Sequence, residues 1–156
     1  MTAVERRVRT AVFRHFADHG VAPSSADLAR AVSVSADEVR STLRALAAAH
    51  LVVLDERGRI EMAGPFAAKP TPVCLTCGDR SWWANCAWDG LAIPPLVGVE
   101  ATLSASCPDC GEPLAIAVGP MGLAEPADGG RSVPGNAPVI HYVVPASHWW
   151  DDIRHT

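Results

Sequence analysis

A chain of 156 residues that is 49 % hydrophobic and 19 % charged, with a formal net charge of −4, has the composition of a globular protein built as one domain or as two small ones sharing a core. The negative balance argues against a general binder of nucleic acid or anionic membrane. No apolar run is long enough to span a bilayer, and the polar, basic first nine residues lack the apolar core of a secretion signal, so the expectation is a cytoplasmic protein whose thiols stay reduced.

Taken in order, Val8, Val12 and Phe16 recur at helical spacing between arginines and predict a helix over residues 4–19. Gly20 is its stop signal, with Pro23 beyond. Ser24 or Ser25 caps a second helix through Asp27, Leu28, Ala31 and Val32. Ser35 opens a third, with Glu38 completing a capping box and Val39, Leu43 and Leu46 facing inward, to about residue 49. Residues 51–54 and 60–62 flank Glu56-Arg57-Gly58 as a two-stranded wing.

Three helices and a wing predict a winged helix-turn-helix over residues 1–63, a shape that points to DNA. The charges point elsewhere. Nine arginines against eight acids give this segment a net charge of only +1, and Asp37 and Glu38 stand where base-reading side chains would be. Arg40 and Arg44 could touch phosphates, but a structural cover for the rest of the chain is the better reading. Gly64, Pro65, Pro70 and Pro72 predict a linker over 64–72. Residues 64–156 carry four basic and nine acidic side chains, and residues 73–156 form a β-rich core. Strands are expected over 97–106 and 114–118, a Gly- and Pro-rich loop over 119–138, and a buried strand over 139–144. The tail from His148 through Trp149, Trp150, Asp151 and Asp152 is an aromatic anchor for the C-terminus or the lining of a pocket. The class is α+β.

The chemistry lies between Cys74 and Gly111, which hold all five cysteines. Four form two pairs, Cys74-Leu-Thr-Cys77-Gly78 and Cys107-Pro-Asp-Cys110-Gly111. Two C-x-x-C pairs, each followed by a glycine that permits a tight turn, match the spacing of a tetrahedral four-thiolate zinc site. The expectation is structural zinc on Cys74, Cys77, Cys107 and Cys110; disulfides, a redox pair and unrelated buried thiols are the alternatives. Cys86 is the odd thiol. If its segment is helical, Cys86 and Asp89 share a face. A soft thiolate beside a carboxylic acid suits cleavage of a bond to a soft metal, the sulfur capturing the metal and the acid protonating the leaving group. The plainer alternative is a cysteine packed among Trp82, Trp83 and Trp88, with Asp89 capping a turn before Gly90.

The run Asn85-Cys86-Ala87-Trp88-Asp89-Gly90-Leu91-Ala92-Ile93-Pro94-Pro95-Leu96-Val97-Gly98 resembles the active-site segment of the organomercurial (alkylmercury) lyase family. The likeness extends through Thr71-Pro72-Val73, Ser104-Ala105-Ser106-Cys107 and Gly58-Arg59-Ile60, and more weakly into the N-terminal segment. It implies protonolytic cleavage of carbon–mercury bonds, with Cys86 as the first mercury-binding thiol and Asp89 as the proton-handling carboxylate. It also implies that Cys107 is structural and that the N-terminal segment packs on the core. The family's second catalytic cysteine falls in a late segment, matched here near Ala137, Pro138 and His141. No cysteine follows Cys110, so the two-thiolate relay is incomplete. Cys107, Cys110, His141, His148 or an external small thiol are the candidates to replace it.

Two other functions fit these residues. One is a metal-binding or metal-sensing winged-helix regulator that has lost the reaction. The other is a different enzyme using Cys86 as nucleophile with Asp89 as its acid–base partner. The expected ligand is a small organometallic compound or a soft metal, with no organic cofactor and no membrane.

Overall fold

The computed structural model describes residues 1–123, 140–142 and 144–154. The chain divides into two compact units, Met1–Ala124 and Glu125–Thr156.

The first unit opens with three helices. α1 (Ala3–His19) starts in a capping box, the Glu5 N–H donating to Thr2 Oγ1 at 3.2 Å and the Thr2 N–H to Glu5 Oε2 at 2.6 Å. It stops at Gly20, whose φ of +69° is the left-handed cap that glycine adopts without a Cβ penalty. α2 (Ser25–Val32) has a second capping box between Ser24 and Asp27. Hydrogen bonds from Ser24 and then Arg30 lower the Asp27 pKa to about 2. α3 (Ala36–Ala48) is capped by Ser35 Oγ, which accepts the Glu38 N–H at 3.1 Å. Val8, Val12, Phe16, Leu28, Val39, Leu43 and Leu46 meet as the buried stripe that their spacing predicts.

The strands follow as β1 (Val53–Leu54), β2 (Ile60–Ala63), β3 (Phe66–Ala67), β4 (Cys74–Cys77) and β5 (Arg80–Ala84), then, after α4 (Ala87–Val97), β6 (Ala101–Ser106), β7 (Pro113–Gly119) and β8 (Gly122–Leu123). All pair antiparallel in one sheet of order β1-β2-β3-β5-β4-β6-β7-β8. The stretch expected as a linker holds β3, which pairs with β2 through Ala63↔Phe66 and with β5 through Phe66↔Ala84. Burial explains the strand. Phe66 is 2 % exposed, stacked on Phe16 with centroids 5.3 Å apart and edge-on to Phe13 at 6.4 Å. The surrounding prolines break helix but do not prevent two paired residues.

The sheet has a covered face and a more open one. Val73, Leu75, Trp82, Ala84, Ala101, Leu103 and Val118 are buried, whereas Thr76, Ser81, Thr102 and Ser104, which alternate with them, are exposed. α1 is bolted to the covered face by Trp82, whose indole N–H donates to the carbonyls of Phe16 at 3.0 Å and Ala17 at 3.2 Å. Gly20 lies so close to β5 that a Cβ there would sit 2.0 Å from Ser81 O. The N-terminal helices are therefore part of this unit's core. Among the described residues no helix is long and apolar enough to cross a membrane.

In the second unit, the strand expected over 139–144 is not formed by described residues 140–142 and 144, and His141 and Tyr142 are exposed. An apolar run becomes a strand only where a ladder partner meets its backbone, and no described residue pairs with this one. What forms is a turn. A 3₁₀ segment (Ala146–His148) leads into Trp149, whose indole N–H donates to Val144 O at 2.8 Å and whose ring lies 5.4 Å from Tyr142.

Candidate functional site

Cys86 is not inside a helix. It is the N-cap of α4, with extended backbone at φ −149° and ψ 177°. N-caps usually carry Ser, Thr, Asp or Asn, whose oxygen accepts a first-turn N–H. Here sulfur takes that place, and the Asp89 N–H donates to Cys86 Sγ at 3.5 Å. The shared helix face expected for Cys86 and Asp89 is thus realised as an N-cap and its third helical residue. The two groups thus share one helix cap, close enough that each shifts the other's proton affinity.

Both groups are half-buried, and the burial sets their proton affinities. Burial pushes the Asp89 carboxyl above its ordinary value, while hydrogen bonds from Asn85 and Cys86 pull it partly back. Burial likewise pushes the Cys86 thiol up, the Asp89 N–H opposes this, and the neighbouring carboxylate charge adds to the rise.

Three contacts hold the pair in place. Asn85 spans the site, its amide donating to Gly64 O at 2.8 Å and to Asp89 Oδ2 at 3.1 Å. The Asn85 Oδ1 is buried without a partner among the described residues. Thr71 donates to Ala84 O at 2.6 Å and accepts the Val73 N–H at 3.2 Å, fixing the strand end from which Asn85 and Cys86 emerge. Gly90 lets α4 lie flat on the sheet, since a Cβ there would be 2.7 Å from Leu103 Cδ1 and 3.1 Å from Val73 Cγ1. Gly64, Thr71 and the bracing by Asn85 were not foreseen. Asn85 belongs to the run that drew attention to Cys86, but nothing in its spacing distinguished it.

The four remaining cysteines are not brought together. Cys74 and Cys77 lie at the two ends of one strand, so their side chains leave opposite faces with Cα atoms ~10 Å apart. Cys77 packs against the core. Thr76 faces Thr102 in the ladder, which puts Cys77 opposite residue 101 and roughly 20 Å along β6 from Cys107. Among the described residues no group of three or more His, Cys, Asp or Glu side chains converges as a metal site. The expected four-thiolate zinc centre does not fit this arrangement, because strand pairing from Cys74 to Cys77 takes the place of the turn that such a knuckle requires. Cys107 and Cys110 do sit on a turn, between β6 and β7, with the Gly111 N–H donating to Cys107 O at 2.9 Å. The backbone amides of Cys110 and Asp109 point at Cys107 Sγ and lower its pKa.

His141 and His148 belong to the second unit. There His148 Nδ1 is paired with Asp151 Oδ2 at 2.9 Å. Ala137 and Pro138 lie outside the described residues.

A thiol and a carboxyl on one helix cap, set on an antiparallel sheet and backed by helices, define a cysteine–carboxylate site on an α+β fold. Comparison with known proteins narrows that class. The alkylmercury lyase family model matches residues 66–156, and the chain belongs to that family. The alkylmercury lyases of Bacillus cereus and Clostridium butyricum are each 32 % identical to it over 94 residues, which are 60 % of this chain and 41 % of theirs. The match therefore spans about two fifths of the length of those relatives. The crystal structure of the mercury-bound form of MerB2 shares the fold, with a TM-score of 0.63 at 21 % identity, covering 86 % of this chain and 62 % of that one.

Proposed function

We propose that this chain cleaves carbon–mercury bonds by protonolysis, with Cys86 binding the metal and Asp89 carrying the proton. The observation that carries this reading is the Asp89 N–H bond to Cys86 Sγ, which sets the thiol on one helix cap with a carboxyl of raised proton affinity, inside a segment that belongs to the alkylmercury lyase family. As the sulfur–mercury bond forms, the Cys86 proton passes to the Asp89 carboxylate and the counter-anion leaves R–Hg–X. The protonated Asp89 then gives that proton to carbon as the carbon–mercury bond breaks. R–H departs, and mercury(II) stays on sulfur. Burial favours both halves, since the neutral acid survives until carbon needs its proton. Asn85 then holds the carboxylate oxygen that the proton has left. Further sulfur is needed to lift mercury from Cys86, and an excess of small external thiol sustains turnover.

The N-terminal helices and the β1–β2 hairpin follow the order of a winged helix-turn-helix, and we read them as a cover for the core. α1 is tied to the sheet through Trp82, and Arg40, on the helix that would read DNA, is ion-paired to Asp37. Structural zinc forms no part of this reading.

The test is incubation of the protein with a phenylmercury salt and excess small thiol in D₂O. The expected product is benzene carrying one deuterium, formed in amounts exceeding the protein. Benzene release no faster than with thiol alone would overturn the proposal.

A further inference from the structure

The Cys107–Cys110 turn is left without a role once the four-thiolate centre is set aside, yet its geometry is that of a ligand site. Both sulfurs belong to one short turn closed by the bonds Cys107 N–H to Glu112 O at 2.8 Å and Gly111 N–H to Cys107 O at 2.9 Å. Gly111, at φ +73°, supplies the left-handed residue that turns the chain back into β7. The two cysteines stand three residues apart on this one closed turn, the spacing at which two thiolates can grip a common ion. Cys110 is exposed and Cys107 half-buried, so an incoming ion meets the pair from solvent. Asp109 and Glu112 flank it and favour a cation.

The donor set decides which cation. Zinc asks for four ligands, whereas this turn offers two sulfurs, and no third His, Cys, Asp or Glu among the described residues converges on them. Two sulfurs suffice for a soft ion content with two thiolates. The position matters as well. Cys74 faces Ser104 in the ladder, so Cys107 continues β6 toward the Thr71 end of the sheet. Thr71 is bonded to Ala84, two residues before Cys86. The turn and the cysteine–carboxylate site thus lie toward the same end of the sheet.

We propose that Cys107 and Cys110 chelate one soft two-coordinate cation, mercury(II), at a site separate from Cys86 that accepts the inorganic ion after cleavage. The acceptor role rests on the lyase reading; the chelation does not. The exchange balances without redox. Cys86–S–Hg⁺, the Cys107 thiolate and the Cys110 thiol give Cys107–S–Hg–S–Cys110 and the Cys86 thiol, one proton passing from Cys110 to Cys86. Mercury leaves one sulfur and gains two.

Chelation is what distinguishes this site from the other cysteines. Any single thiol binds mercury, but two on one turn hold it about 10²–10⁴-fold more tightly against a monothiol competitor, because the second bond forms at high effective concentration. The experiment loads the reduced full-length protein with mercuric chloride, dialyses it against millimolar 2-mercaptoethanol, and counts retained metal. Wild type and Cys86→Ser should each keep about one mercury per chain, with Cys107→Ser and Cys110→Ser losing it. Zinc chloride in place of mercury should leave no metal bound. Retention unchanged in Cys107→Ser and Cys110→Ser, no retention by wild type, or a Cys107–Cys110 disulfide that survives in the reduced preparation would each overturn the proposal. The metal count is independent of hydrocarbon release. A protein that keeps mercury through this turn but forms no benzene would refute the lyase reading and leave the chelate standing, and the converse result would do the reverse.

Discussion

Asp89→Asn should slow hydrocarbon release by about 10²–10⁴-fold, the usual contribution of a positioned general acid, while mercury still binds Cys86. Asparagine keeps the shape of the side chain but has no proton to give. The substitution therefore separates the two halves of the reaction, since capture needs the sulfur and carbon release needs the acid. A pH profile checks the assignment independently. The reaction needs one proton on the pair, carried by Cys86 with Asp89 ionised. The wild-type rate should therefore rise as pH rises through the raised Asp89 pKa and fall as pH rises through the raised Cys86 pKa. The variant's residual rate should lack the first limb. Stability runs the opposite way across the Asp89 pKa. A carboxyl whose folded-state pKa lies above its unfolded value contributes stability that is fully present below the ordinary carboxylate pKa. That contribution is lost as pH rises through the raised one. Denaturation midpoints of wild type should thus decline across this window relative to Asp89→Asn. A variant that releases hydrocarbon at the wild-type rate would remove Asp89 from the mechanism.

Trp82→Ala should destabilise the protein by about 3–5 kcal/mol, as expected for deleting a fully buried aromatic side chain. Trp82 is 1 % exposed and spends its one polar hydrogen on the last turn of α1. The change leaves a cavity and removes the indole donor from the Phe16 and Ala17 carbonyls. Because Trp82 lies on β5, the strand that leads into Asn85 and Cys86, damage there reaches the site. Urea denaturation followed by helix signal and by tryptophan fluorescence should show one coincident transition in wild type, shifted to lower urea in the variant. If the helices melted separately from the sheet, the N-terminal segment would be an independent domain and not a cover.

The sequence disclosed the parts whose geometry is local. Ser24 and Ser35 mark helix starts because capping is settled within four residues, and Val8, Val12 and Phe16 mark a buried stripe because 3.6 residues make a turn. The two C-x-x-C pairs show where local reading ends. Their spacing is identical, yet Cys107–Cys110 bends as a turn while Cys74–Cys77 is drawn straight by ladders with Ser81 and Thr102 on either side of Thr76. Pro108, Asp109 and Gly111 fit the turn, whereas Val73 and Leu75 alternate with Cys74 and Thr76 as a strand does. β3 was hidden for a related reason, since two residues between prolines form a strand only because Phe13 and Phe16 press on Phe66. At the site, Cys86 and Asp89 were legible through a family resemblance. The N-cap that joins them is local but was hidden because sulfur is not among the usual capping groups, and the Asn85 bridge to Gly64 depends on a chain segment more than twenty residues upstream.

The most direct trial of the central claim is hydrocarbon release from an arylmercury compound by wild type and Cys86→Ser, compared with excess thiol and no protein. If Cys86 carries the metal, wild type turns over and Cys86→Ser releases hydrocarbon only at the thiol-only background. Equal release by the two proteins would contradict the account.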